Sequence, residues 1–325
     1  MWQTYGHDWA TALLQQALDT QRLSHAYLIT GPAHIGKATL AREFAAALNC
    51  TGQTPPCGEC RSCRLAHDDS HPDILVVQAQ EHVLKIDQIR SLQHDLALSP
   101  YEGRYRVCLL IDLHLATDEA ENALLKTLEE PASRVVLVLT ATDASLLLPT
   151  VVSRCQVLAL RGVPEQRIVQ ALTERWHVQP DRAQLLARLA GGRIGWAITA
   201  AQDENALAYR GQALDDLLQA VIGGRLARLK LAESLGSLER DELIELSSLW
   251  QTWWRDVLYA NQGCDELVVN LDRTSALRSL AGQLRPAQLT AACNSVDRLR
   301  EQLGHNVTAR LALEDMLLNW PLATV

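Results

Sequence analysis

Short apolar runs alternate with segments of helical spacing in the first half of the chain. The runs are "AYLIT", "ILVVQ", "VCLLID", "VVLVLTAT" and "CQVLAL", which begin at Ala26, Ile74, Val107, Val135 and Cys155. Strands that are apolar on both faces are typical of a parallel sheet that helices cover on both sides. The helical segments include "KATLAREFAAALNC" and "DEAENALLKTLEEP". The pattern therefore predicts an α/β fold for this half.

The strand pattern disappears after about residue 162. Residues 163–204 have the spacing of short helices, with "AGGRIGWA" as a turn between two of them. Residues 205–325 have helical spacing throughout, and Trp250, Trp253 and Trp254 fall on one helical face, where we expect core or subunit-interface packing. We therefore predict an α/β domain at 1–162, a small helical domain at 163–204 and an all-α domain at 205–325.

Composition and charge narrow the class of protein. Apolar residues make up 48% of the 325 residues and charged ones 21%, as in ordinary globular proteins. The net charge of -8 argues against a protein that grips DNA alone, because such binding depends on many Lys and Arg side chains. No uncharged apolar run reaches about 18 residues, and the first residues lack a signal-peptide pattern. We therefore expect a cytoplasmic protein that does not enter a membrane.

A glycine loop follows the first predicted strand. "GPAHIGKATL" supplies Gly31, Gly36 and Lys37 of the phosphate-loop pattern G-x-x-x-x-G-K-[ST] but has Ala38 where a hydroxyl would hold Mg²⁺. Thr39 comes one position late, about 100° around the helix, and is a poor substitute. The loop and Lys37 could still bind ATP or ADP, so the sequence leaves nucleotide binding open.

A second motif lies at the end of the run "VCLLID". An apolar strand that ends in Asp112 resembles the Walker B motif, whose Asp organises Mg²⁺. In AAA+ ATPases a Glu usually follows and positions the attacking water, but here the next residue is Leu113. Leucine neither accepts a proton nor orients water. Together with Ala38, this change predicts a degenerate site that does not hydrolyse ATP.

Four of the eight cysteines form a C-x₆-C-x₂-C-x₂-C pattern within residues 50–67. They are Cys50, Cys57, Cys60 and Cys63. Four thiolates at this spacing fit a closed, tetrahedral and therefore structural Zn²⁺ site better than a chance cluster of reduced thiols. His67 and His71 could in principle be ligands, but four cysteines already fill the shell. We therefore expect both histidines to be structural or exposed.

Several longer stretches of the sequence point to one family. They are "ENALLKTLEEP" from Glu121, "LLPTVVSRC" from Leu147 and the four-cysteine insertion, together with "HAYLITGP", "KIDQIRSL", "YEGRYRV" and "NVTARLALEDMLL". These stretches resemble the bacterial clamp-loader family of DNA polymerase III, which consists of AAA+ proteins. Clamp loaders open a ring-shaped sliding clamp and place it on primed DNA. The resemblance implies a P-loop-type sheet domain with a zinc module, a helical lid domain and a helical collar domain for oligomerisation.

The resemblance also implies a role for Arg154. In the family, the arginine of Ser-Arg-Cys projects into the ATP site of a neighbouring subunit, where a planar guanidinium suits the charge on the transferred phosphate. The alternative is a surface arginine that pairs with a nearby acid. Gly195 falls where family ATPases carry a second sensor arginine, although Arg193 lies close by. We interpret this sensor as lost.

These features favour a non-hydrolysing clamp-loader subunit that supplies Arg154 in trans. Its expected partners are the tau/gamma and delta subunits, and through the assembled complex the sliding clamp and primer-template DNA. One alternative is a catalytically active tau/gamma-type ATPase, which a measurable ATPase rate of the isolated protein would favour. Another is a stand-alone zinc-dependent DNA binder, which the negative net charge disfavours.

Overall fold

The computed structural model describes residues 2–79, 83–304 and 307–323. The chain divides into two compact units. The first contains the residues up to His177 together with Ala190–Ile198, and the second contains Val178–Leu189 and the residues from Thr199 onward. The predicted domain boundaries near residues 162 and 204 stay predictions. Among the described helices, none is both long and apolar enough to cross a membrane.

A parallel sheet forms the centre of the first unit. Its described strands are β1 (Ala26–Thr30), β2 (Ile74–Gln78), β3 (Arg106–Ile111), β4 (Val135–Ala141) and β5 (Gln156–Ala159). Their order is β2-β3-β4-β1-β5, and every pairing is parallel. All five lie within or beside the apolar runs of the sequence. The predicted α/β fold with a parallel sheet is confirmed.

Helices cover both faces of this sheet. They are α1 (Asp8–Asp19), α2 (Lys37–Leu48), α3 (Arg61–His67), α4 (Ile86–Leu96), α5 (Asp118–Glu129) and α6 (Pro149–Val152). α7 (Glu165–Arg175) follows the last strand. Tyr27 of β1 packs against Phe44 of α2 on one face, with ring centroids 4.8 Å apart. Leu28 belongs to the apolar cluster on the other face, which includes Leu92 of α4 and Leu124 of α5. Neighbouring residues of β1 thus face opposite cores, which is why its sequence is apolar throughout.

The register places the strand ends that carry the candidate nucleotide residues at one edge of the sheet. Leu28 of β1 lies opposite Leu139 of β4 and Val157 of β5. β3 pairs with β4 through Leu110 and Leu139. Because the strands are parallel, the glycine loop after β1 and Asp112 after β3 both emerge at the carboxyl edge. That edge is where open α/β sheets bind their ligands.

The second unit is helical in its described part. After α8 (Pro180–Ala190) and α9 (Ile194–Gln202), which the division between the units crosses, its helices are α10 (Glu204–Ile222), α11 (Gly224–Leu235), α12 (Arg240–Asn261), α13 (Thr274–Gln283), α14 (Pro286–Leu303) and α15 (Ala309–Leu318). Trp250, Trp253 and Trp254 of α12 are fully buried. The ring of Trp320 meets those of Trp250 and Trp254 edge-on. The expected core packing of the three tryptophans on α12 is confirmed.

Candidate functional site

The glycine loop connects β1 to the first turn of α2. Gly31 and Gly36 have φ angles of 146° and 107°, which favour glycine. A Cβ at Gly31 would also lie 2.7 Å from the carbonyl oxygen of Leu160. Gly36 caps the N-terminus of α2, and Lys37 is the first residue of that helix. The predicted order of strand, glycine loop and helix is therefore present, with the N–H groups of a helix N-terminus beside the loop.

The side chain of Lys37 forms hydrogen bonds with the glycine loop itself. Its side chain is buried, and its Nζ donates to the carbonyl oxygens of Gly31 at 2.8 Å and Pro32 at 3.0 Å. Burial lowers the pKa of Lys37, and the charge of Asp112 opposes this shift. A phosphate that used this ammonium would have to displace one or both carbonyl contacts.

The two positions after Lys37 offer little to a metal ion. Ala38 is half-buried and has no ligand atom. Thr39 is exposed and lines a surface cavity of about 530 Å³ together with Arg42 and Cys63. Thr39 therefore lines the surface that α2 shares with the cysteine module.

Asp112 lies where the Walker B comparison places it, immediately after β3. Its backbone N–H donates to the hydroxyl of Thr140 at the end of β4, over 2.8 Å. The next residue, Leu113, is fully buried in the core cluster between the sheet and α5. His114 follows and is half-buried, and its burial lowers its pKa while the charges of Asp112 and Lys37 act on it in opposite directions. The residue at the position where AAA+ ATPases usually have a catalytic Glu is thus part of the hydrophobic core.

Two contacts from elsewhere in the first unit hold the glycine loop. The N–H of Gly195 donates to the carbonyl oxygen of His34 at 2.8 Å. Nε2 of the buried His7 lies 2.9 Å from the carbonyl oxygen of Ile35. Burial lowers the pKa of His7, so the imidazole is neutral at pH 7 and donates from Nε2. Both contacts restrict the loop through its own backbone carbonyls.

The four predicted cysteines converge in one cluster. The sulfur atoms of Cys50, Cys57, Cys60 and Cys63 all lie within 4.8 Å of one another, and no other metal-competent group of this kind occurs in the described ranges. Two of the separations, Cys57 to Cys63 and Cys60 to Cys50, are 3.9 and 4.0 Å. Four sulfurs at about 2.3 Å from a tetrahedral Zn²⁺ would lie about 3.8 Å apart. The cluster therefore fits zinc, and these four residues would hold the ion.

Backbone N–H groups surround the same sulfur atoms. The N–H groups of Gly52 and Cys57 donate to Sγ of Cys50, that of Cys60 to Cys57, and that of Cys63 to Cys60, over 3.3–3.4 Å. Such donors stabilise negative charge on the ligands of a metal. Burial of Cys60 favours its thiol, but hydrogen bonds from Thr51 and Cys63 outweigh burial and lower its pKa to about 6. Burial instead raises the pKa of Cys50 and Cys63. The backbone N–H groups thus favour thiolates in the cluster, and burial opposes them.

The two histidines near the module have other partners. His67 is exposed and lies beside Asp68. His71 is buried; its Nδ1 accepts the N–H of Asp73, so its Nε2 donates to the hydroxyl of Ser62 on α3 at 3.0 Å. His71 therefore connects the cysteine module to the start of β2.

Arg154 lies between α6 and β5, with 34% of its side chain exposed. Its Nη2 lies 2.7 Å from Oε1 of Glu129, the last residue of α5. Its Nη1 donates to the carbonyl oxygen of Thr150 at 2.9 Å. The guanidinium therefore has an acidic partner within this chain, in line with the alternative that the sequence left open.

Several residues around these sites were not singled out from the sequence. Thr140 and His114 flank Asp112, and each is a polar residue at the end of an apolar run, which is a usable signal. Glu121 and Glu129 belong to the stretch "ENALLKTLEEP", but their contacts with the 148–154 segment depend on the packing of α5 against α6. Local pattern does not reveal that packing.

Comparison with known proteins connects these features to one family. A family model described as DNA polymerase III, delta subunit, matches residues 6–164, and one for the C-terminal part of that subunit matches residues 205–321. The DNA polymerase III subunit delta′ of Pseudomonas aeruginosa is 30% identical over 330 residues, which cover 97% of each chain. These matches extend over both structural units.

Two further comparisons concern related subunits. The DNA polymerase III subunit tau of Escherichia coli is 32% identical over 248 residues, covering 74% of this chain, which spans 36% of that longer relative. Among solved structures, a DNA polymerase III gamma subunit-related protein from Thermotoga maritima superposes with a TM-score of 0.52 at 20% identity, covering 94% of this chain and 97% of the other. The similarity to the Thermotoga maritima structure supports the fold described above for this chain.

Proposed function

This chain belongs to the bacterial DNA polymerase III clamp-loader family, most like its delta′ subunits, and on that premise we propose that it completes the ATP site of a neighbouring subunit without hydrolysing ATP itself. The observation that carries the proposal is a contrast within the first unit. Leu113 is buried where a catalytic Glu would be needed, whereas Arg154 remains partly exposed beside β5.

Three features support the absence of hydrolysis at the glycine loop. Ala38 has no ligand atom for Mg²⁺, and Leu113 supplies no base. Lys37 already donates to two loop carbonyls. In a working site these groups would hold the metal, position water and neutralise phosphate charge. Nucleotide binding by Gly31, Gly36, Lys37, Thr39 and Asp112 would therefore be weak and without turnover.

Arg154 has the chemistry of a residue that acts in trans. Its guanidinium stays charged at any pH of interest and presents a planar set of donors to phosphate oxygens. Its ion pair with Glu129 is exposed on both sides, 34% for the arginine and 51% for the glutamate. Exposed pairs contribute only about 0.2–1 kcal/mol. A phosphate of a neighbouring subunit could therefore bind the remaining N–H donors of the guanidinium while Glu129 keeps its contact.

Exposed leucines in the second unit support a role in assembly. They lie on α11, on α15 and just after α15: Leu226, Leu229, Leu311, Leu318 and Leu322. The two helices pack side by side, and Arg228 of α11 donates to the carbonyl oxygen of Trp320, just after α15, at 2.7 Å. Exposed apolar side chains mark protein interfaces where they group into a patch. We assign this surface to contacts with the tau/gamma and delta subunits, in a collar formed by the helical domains.

The cysteine module would hold a structural Zn²⁺. Four protein ligands leave no open coordination position, so the ion supplies no catalytic chemistry. The sliding clamp and primer-template DNA would be reached through the assembled complex, since the net charge of -8 gives the isolated chain no general attraction to DNA.

Reconstitution tests this function. The chain is mixed with tau/gamma and delta subunits, the complex is isolated by gel filtration, and ATP hydrolysis is measured with clamp and primed DNA. We expect no hydrolysis by the chain alone, and a stimulated rate in the complete complex that is lost when this chain is omitted. Robust turnover by the isolated chain would instead identify an active motor, and failure to enter the complex would contradict the proposal.

A further inference from the structure

Two acids of α5 hold the two ends of the segment that carries Arg154. Oε2 of Glu121 accepts the N–H of Leu148, at the N-terminus of α6, over 2.8 Å. Oε1 of Glu129 accepts from Nη2 of Arg154, just beyond the C-terminus of α6, over 2.7 Å. The acids lie roughly two turns apart on α5. The 148–154 segment is thus fixed to one helix at both ends.

The two contacts differ in burial. Glu121 is buried, and burial raises its pKa while the hydrogen bond from Leu148 lowers it. This contact caps α6 and belongs to the folded core. Glu129 is 51% exposed and contacts a side chain. Its contact sets the direction of the guanidinium while contributing little to folding, because exposed ion pairs are weak.

The position of Glu129 is unfavourable in isolation. An acid in the last turn of a helix faces the negative end of the helix dipole, at a cost of about 0.3–1 kcal/mol. The Arg154 guanidinium offsets this cost. The same guanidinium also donates to the carbonyl oxygen of Thr150, so Glu129 and Thr150 together limit the rotamers of a long side chain.

We propose that Glu129 is a positioning residue that holds the Arg154 guanidinium ready for the ATP site of a neighbouring subunit. This inference rests on the proposed function of Arg154. Fixing the side chain beforehand spares the ordering cost that a free arginine would meet on reaching the phosphate. Glu129 acts only through Arg154 and does not contact the nucleotide.

The test uses complete clamp-loader complexes assembled with variant chains. Glu129→Ala should lower the kcat of clamp- and DNA-stimulated ATP hydrolysis by about threefold to tenfold. This factor corresponds to the free-energy cost of immobilising one long side chain. The KM for ATP should stay unchanged. Glu129→Gln keeps an acceptor oxygen without the charge and should fall between wild type and Ala. Glu130→Gln, at the adjacent exposed acid, is the matched control and should equal wild type.

A double variant separates positioning from general damage. In an Arg154→Ala background, Glu129→Ala should lower the rate no further, because both changes remove the same interaction. Thermal unfolding and gel filtration should show that all variants fold and assemble. Full activity of the Glu129→Ala complex, a faster rate, or an added loss in the double variant would overturn the positioning role. Full activity of the Arg154→Ala complex would instead overturn the proposed function itself.

Discussion

The backbone N–H of Gly195 donates to the carbonyl oxygen of His34 over 2.8 Å, which brings the start of α9 against the glycine loop. A Cβ at position 195 would lie 2.7 Å from that same oxygen. In this arrangement the loop leaves no room for a side chain at Gly195. The side chain of the nearby Arg193 has another partner, because its Nε donates to the carbonyl oxygen of Ala190. The structure thus gives a steric reason why position 195 has no arginine. That this position corresponds to the sensor arginine of the family ATPases stays a prediction.

Gly195→Arg should therefore destabilise the protein instead of restoring a sensor. The added side chain must push the loop away from α9, and overpacking of this kind costs about 1–3 kcal/mol. Urea unfolding measures the loss. Gly282→Ala is the control, because a Cβ there meets nothing within 4 Å; it should be neutral or stabilise α13 by roughly 0.5–1 kcal/mol. Equal stability of the Arg variant and wild type would contradict the steric account.

Restoring the two missing catalytic residues should not restore turnover. Ala38→Thr is at a half-buried helix position and should fold normally, but Leu113→Glu places a carboxyl group in a fully buried core position. We expect the second change to cost on the order of 3 kcal/mol or more, as seen by thermal unfolding. ATP hydrolysis by the double variant should stay at background. Sustained turnover without loss of stability would mean that the 113 position can reach the nucleotide.

The cysteine module should bind about one Zn²⁺ per chain and should depend on Gly52. A Cβ at Gly52 would lie 2.9 Å from Sγ of Cys57, so Gly52→Ala must displace that ligand. We expect zinc affinity to fall by about tenfold or more, measured by competition with a chromogenic chelator. Cys60→Ser should release the metal, and Gln53→Ala should keep wild-type affinity. Metal-free wild-type protein, or unchanged affinity in the Gly52 variant, would contradict the site.

Asp73 should make stability depend on pH. Its burial favours the neutral carboxyl, but the N–H groups of Tyr101, Glu102 and Gly103 outweigh burial and hold its pKa below the ordinary value of 3.8. Because the pKa of Asp73 is lower in the folded state, its charged form stabilises the protein. This contribution to stability is complete above the pKa of the unfolded state and is lost as the pH falls through the pKa of the folded state.

Asp73→Asn should therefore destabilise the protein by about 2–3 kcal/mol near pH 7, since hydrogen bonds to a charged group are lost. The difference from wild type should shrink as the pH falls below about 4. Urea unfolding between pH 3 and 7 measures this, with the exposed Asp87→Asn as control. A difference that does not change with pH would contradict the charged state of Asp73.

The sequence was sufficient for features that depend on local pattern. The continuous apolar runs predicted the five strands that the structure describes, because burial on both sheet faces requires apolar residues along the strand. Cysteine spacing predicted the cluster, since four nearby thiols have few alternative arrangements. The contacts of Gly195 with His34 and of Glu129 with Arg154 were beyond such reasoning. They join residues far apart in the chain and are set by how α9 meets the glycine loop and how α5 packs against α6.

The most direct measurement is the clamp- and DNA-stimulated ATPase rate of complexes that contain wild-type chain, Arg154→Ala or Arg154→Lys at equal concentration. We predict normal folding and assembly, because the Arg154 ion pair is exposed. Hydrolysis at the site facing Arg154 should fall by at least about tenfold in the Ala complex. Lys should rescue poorly, because an ammonium lacks the planar donor set. Unchanged hydrolysis in a correctly assembled Ala complex would contradict a role for this chain in its neighbour's ATP site.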